Sequence, residues 1–114
     1  MRPKGIDPFA QQNLFGGQGT VFVYDLLQGR VTPPFDAVLA CELAPGGSVG
    51  KHVQEFSHEI IIVVRGEGTA MVDSESQDLG SGSVVHVAHG QSLSLQNSSD
   101  QQALSYLIVK ASSD

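Results

Sequence analysis

The chain has 114 residues, 40% of them hydrophobic, with 12 acidic against 6 basic side chains and a formal net charge of −6. That length supports one hydrophobic core and not two, and the composition is that of a folded domain rather than a disordered segment. No Lys/Arg cluster is present, so nucleic acid and anionic membranes lack an electrostatic footprint, and the acidic balance reads as a solubilising surface.

Residues 1–19 contain Pro3, Pro8, Gly16, Gly17 and Gly19 and show no lasting periodicity. They are expected to form an irregular N-terminal arm before a single domain at 20–114, an arm that can dock through Phe9, Leu14 and Phe15. Residues 1–10 hold no apolar signal core, and the single cysteine, Cys41, cannot make an internal disulfide. Cytoplasm is therefore the expected compartment.

From Thr20 the pattern turns to β. Val21–Leu27 is strand-like, and Arg30–Pro34 is a turn region, because its prolines cannot pair in a central ladder. Phe35–Leu43 alternates, with Leu39, Cys41 and Leu43 on one face and Glu42 on the other. Ala44–Gly50 is a turn cluster, followed by a short strand or strand end holding His52 and Gln54. Glu59–Arg65 is apolar on both faces, so both faces are expected to be covered. Its run Ile60–Val64 is the longest apolar stretch in the chain, far short of the roughly 20 residues a membrane-spanning helix needs. Thr69–Asp73, Ser83–Val87, Gln91–Gln96 and Ala103–Lys110 complete the strands, with polar connections at 74–82 and 97–102. Eight short strands and no three-turn helical period predict an all-β sandwich or barrel.

Two spacings carry chemistry. In the first, Gly46 is followed after five residues by His52, then Val53 and Gln54, then after four residues by Glu59 and after six by Gly66. In the second, Gly82, Ala88, Gly90, Leu93 and Asn97 follow at fixed intervals. Residues two apart on a strand share a face, so His52 pairs with Gln54, Leu93 with Leu95, and an inward Glu59 brings Ile61 and Val63 inward as apolar walls.

These spacings resemble the two motifs of the cupin superfamily over residues 46–97. The resemblance implies an all-β jelly-roll, or double-stranded β-helix, barrel. It also implies a divalent metal (Mn, Fe, Ni or Zn) held inside the barrel by two histidines and a glutamate of the first motif and a histidine of the second. Here Gln54 stands in the place of one histidine, Leu93 in the place of another, and Ala88 in the place of a proline. That leaves His52, Gln54 and Glu59 as candidate metal ligands. An amide oxygen is a poorer ligand than imidazole, and leucine is none.

Two classes of function follow. One is a binding module: an apolar pocket of Ile61, Val63, Leu93 and Leu95 takes a small organic ligand, and His52, Gln54 and Glu59 orient its polar end, hydrogen-bonded to one another when no metal is held. The other is a metal-dependent oxygenase or isomerase with a degenerate His/Gln/Glu centre. His58 and His86 are expected outside and His89 at the rim. Cys41 is expected as a small buried hydrophobe, and nothing aims Tyr24 or Tyr106 at the pocket. The outward Ile60, Ile62 and Val64 call for cover by the arm or a second subunit. The resemblance implies a homodimer through that sheet.

Overall fold

The computed structural model describes residues 2–113. Ten strands are present among them: β1 Phe9–Gln12, β2 Thr20–Asp25, β3 Phe35–Leu43, β4 Ser48–Val53, β5 Ser57–Arg65, β6 Gly68–Val72, β7 Glu75–Leu79, β8 Val84–Val87, β9 Ser92–Asn97 and β10 Leu104–Ser112. They form a six-stranded sheet in the order β1-β2-β3-β10-β5-β8 and a four-stranded sheet in the order β4-β9-β6-β7. All their pairings are antiparallel. The two inner faces close on one core, the jelly-roll arrangement that the strand pattern predicts.

Alternation decides which side chains enter that core. On β5, Ser57, Glu59, Ile61 and Val63 are buried while His58, Ile60, Ile62 and Val64 turn outward. On β2, Val21 and Val23 are buried and the intervening Phe22 is 43% exposed. Leu43, Cys41, Val85, Val87, Leu93, Leu95, Leu104 and Tyr106 complete the packing. Burying one aliphatic side chain contributes about 1.5–3 kcal/mol, so this set holds the two sheets together.

The structure departs from the pattern reading at three places. Residues 1–19 are not wholly irregular: Phe9–Gln12 pairs with β2, Phe9 opposite Val23 and Gln12 opposite Thr20. All four of its residues are exposed, so an edge strand here carries no alternation to read. The connection at 74–82 contains β7, which pairs with β6 alone and is exposed at four of its five positions. Polar residues on both faces of an edge strand hide it from a search for buried faces. Finally, β4 begins at Ser48, inside the Ala44–Gly50 turn cluster.

Gly66 and Asn97 of the motifs are structural. Gly66 sits at φ +103°, and a Cβ there would lie 2.6 Å from the Ala103 carbonyl oxygen. Only glycine fits that turn. The Asn97 side chain is 1% exposed and donates to the carbonyls of Gln102 (2.8 Å), Ala44 (3.1 Å) and Leu43 (3.2 Å), joining three chain segments at one end of the barrel.

Candidate functional site

Between the sheets lies a cavity of about 240 Å³. Its floor is apolar and buried: Val49 from β4, Ile61 from β5, Leu93 and Leu95 from β9, with Cys41 and Tyr106 beside them. Its rim is more exposed and comes partly from the N-terminal arm, through Phe9, Gln11 and Phe15. Phe15, His52 and Lys110 also line a groove on the surface outside, so these three form the doorway between groove and cavity.

His52 projects from β4 and is half-buried. Its ring stacks on Phe15, with centroids 3.9 Å apart and planes 12° from parallel. Its Nδ1 lies 2.8 Å from the Gly50 carbonyl oxygen. A carbonyl only accepts, so Nδ1 carries a proton and Nε2 is the nitrogen left for a ligand.

Glu59 enters from β5 and is 2% exposed. Both its oxygens have partners: Oε1 is 3.6 Å from Lys110 Nζ, and Oε2 accepts from Gln54 Nε2 at 3.4 Å. Lys110 stands directly opposite Glu59 across the β5–β10 pairing. Burial raises the Glu59 carboxyl above the usual carboxylate range, against the opposing pull of Lys110 and His52.

Gln54 is 4% exposed and does not line the cavity. The loop after β8 holds it, since its N–H donates to the Gln91 carbonyl (2.9 Å) and its carbonyl accepts from the Gly90 N–H (2.8 Å). It therefore acts on the cavity through Glu59. The structure thus brings together His52, Glu59, Ile61, Leu93 and Leu95 around one cavity, from both sheets. It places Val63, 1% exposed, in the packed core and off the cavity wall.

Tyr106, which nothing in the sequence aimed at the pocket, and Lys110, which the sequence reading left unassigned, both line the cavity, as does Cys41, buried as expected of a small hydrophobe. Tyr106 and Lys110 belong to the inward row Leu104, Tyr106, Ile108 and Lys110 of β10, a period-2 signal that could have found them. Cys41 pairs with Tyr106 across β3 and β10. Burial, then the charge of Glu59, pushes the Cys41 thiol up to about 12, so it is a neutral wall element and not a nucleophile. Burial likewise pushes the Tyr106 phenol well up. The doorway residue Phe15 had no local signal, because its position depends on where the arm docks.

The remaining histidines lie elsewhere. His86 and His89 are exposed, His58 is half-buried, and none of the three lines the cavity. His58 Nδ1 accepts the His89 backbone N–H at 3.1 Å, and His89 Nε2 lies 2.7 Å from the Glu55 carbonyl oxygen.

The donor set does not fit a tightly held divalent metal. It offers one imidazole nitrogen and one carboxylate that an ammonium already faces, and Leu93 sits opposite His52 in the β4–β9 pairing. Among the described residues no three His, Cys, Asp or Glu side chains converge as a metal would require.

A double-sheet barrel with a polar cluster at the doorway of an apolar interior defines the class, and the sequence agrees with it. The cupin domain model matches residues 39–110, and the chain belongs to that family. It is 30% identical over 112 residues to a protein of Thermotoga maritima named oxalate-binding protein, covering 96% of this chain and 93% of that one. A solved Thermotoga maritima structure titled as a predicted oxalate decarboxylase superimposes with a TM-score of 0.86 at 27% identity, over 97% of this chain and 96% of that one. A cupin-2 domain protein of Rhodospirillum rubrum, 20% identical, shares the fold with a TM-score of 0.78 over 100% of this chain and 75% of that one.

Proposed function

We propose that this cupin is a binding module whose barrel cavity takes a small organic molecule, held on Ile61, Leu93 and Leu95 and oriented at its polar end by His52 and Glu59, with Gln54 fixing Glu59. One observation carries the reading: an apolar floor opens to solvent past a few polar groups, the common form of small-molecule sites. The name of the Thermotoga relative, oxalate-binding protein, supports small-molecule binding. The same reading takes the protein as a homodimer paired through the outer face of the larger sheet, where Ile60 and Val64 are 42% and 38% exposed.

The competing reading is a metal-assisted oxygenase or isomerase. It is favoured by the free Nε2 of His52 beside the Glu59 carboxylate.

Metal analysis of protein purified without chelator separates the two. Binding alone predicts substoichiometric metal, and a stoichiometric transition metal overturns it. An NMR screen of small organic acids and neutral molecules then tests the cavity. The expected result is amide shifts concentrated at Ile61, Leu93 and Leu95; shifts scattered over the surface count against the site.

A further inference from the structure

Lys110 is the only Lys or Arg on the cavity wall among the described residues. Its side chain is 33% exposed, and it faces both the cavity and the groove outside. The floor beyond it is made of Val49, Ile61, Leu93 and Leu95, each at most 4% exposed. Polarity therefore changes along the cavity, from one cation at the doorway to aliphatic carbon at the closed end.

A ligand matching that gradient has one anionic end and an apolar body. An ammonium has three N–H donors and that of Lys110 pairs with Glu59 at 3.6 Å, so donors remain for a second oxyanion. Both Glu59 oxygens already face Lys110 and Gln54, which leaves the carboxylate less open to a cationic ligand than the Lys110 ammonium is to an anionic one. A second carboxylate at the far end of the ligand would lie against the floor, where an unpaired charge is strongly disfavoured. The net charge of −6 gives the protein no general attraction for anions, so the local ammonium must supply it. Size follows from volume: with about 30 Å³ per water-sized group, the 240 Å³ cavity holds about eight non-hydrogen atoms.

Resting on the small-ligand reading above, we propose that the ligand is a monocarboxylate with a short apolar tail, its carboxylate on Lys110 at the doorway and its tail on Ile61, Leu93 and Leu95. This differs from the compact dicarboxylate in the name of the Thermotoga relative. The difference has a physical cause, a floor lined by leucine and isoleucine.

The test is calorimetry on the native chain with butanoate, hexanoate, 1-hexanol, hexylamine and oxalate, with cavity amide shifts followed by NMR. Hexanoate should bind more tightly than 1-hexanol, hexylamine and oxalate. Butanoate should bind roughly tenfold more weakly than hexanoate, the loss of two buried methylenes. Lys110→Met should weaken hexanoate about tenfold and change 1-hexanol far less. If this variant does not fold, the ligand series on the native chain decides alone. Equal binding of hexanoate and 1-hexanol overturns the anionic end while the pocket stands. Oxalate tighter than hexanoate overturns the apolar tail. If neither hexanoate nor 1-hexanol shifts a cavity amide, the pocket reading falls and the proposal with it.

Discussion

At position 93 a leucine stands opposite His52, and at position 54 an amide holds Glu59, so two places that carry imidazole in the resembling motif carry none here. Leu93 lines the cavity floor, and the Gln54 amide reaches Glu59 from beside the cavity. The double substitution Gln54→His with Leu93→His should therefore raise affinity for Ni, Zn or Mn by several kcal/mol, each 1.4 kcal/mol being about tenfold. Replacing the buried Leu93 should cost the metal-free form about 2–4 kcal/mol. Melting curves should show the variant below the parent with chelator present and rising when metal is added. Calorimetry that finds no gain in metal affinity would show that the two positions do not converge. Glu59 permits a second test. Its carboxyl is raised in the folded state, so folding takes up a proton; stability is greatest below the unfolded value near 4.5 and falls as pH rises through the folded value. Glu59→Gln removes this slope. Melting temperatures between mildly acid and neutral pH should show the variant gaining on the parent as pH rises, and parallel curves would contradict the assignment.

The elements at the doorway depend on one close approach. The turn at Leu14–Gly16 packs against β4, and a Cβ on Gly50 would overlap the Phe15 carbonyl. Gly50 is thus needed for space. Gly50→Ala should lift the turn, break the Phe15–His52 stack and cost about 1–3 kcal/mol, while the barrel itself remains folded. Hydrogen exchange should quicken at Asn13 and Gly16–Gln18, whose N–H groups donate to Gly19, Asn13, Leu14 and Ser48 carbonyls, and stay slow in β5 and β10. Unchanged exchange in the arm would mean that the turn docks by other contacts.

For the whole molecule, the unfinished surface is the outer face of the larger sheet. Ile60, Ile62 and Val64 of β5, Leu107 and Val109 of β10 and Val84 of β8 all point away from the core, and Ile62 lies directly opposite both Leu107 and Val84. The arm touches this face where Arg2 reaches Glu42 of β3 at 3.8 Å. A twofold pairing through the β5–β8 side should bury more than about 1,000 Å² in total. Sedimentation should give twice the 12.0 kDa chain mass, and Ile60→Lys with Val84→Lys should give a folded monomer. A parent that sediments as a monomer at tens of micromolar would rule out this pairing.

How much was legible in the sequence differs between fold and site. Alternation on Leu39–Leu43, Glu59–Val63 and Leu93–Leu95 determined the β class, the inward faces and the position of Glu59, because side-chain direction along a strand is a local property with a period of two. The motif spacing likewise placed His52 beside Glu59, since a short turn leaves those two strand ends few alternatives. Only the tertiary structure decided the rest. Polar edge strands such as β7 bury no face and leave no pattern. The opposition of Lys110 to Glu59 depends on β5 and β10 pairing across a long stretch of chain, and the stack of Phe15 on His52 depends on the arm docking at Gly50. Contacts of that kind are set by how sheets close around a core, a global packing condition that no window of neighbouring residues contains.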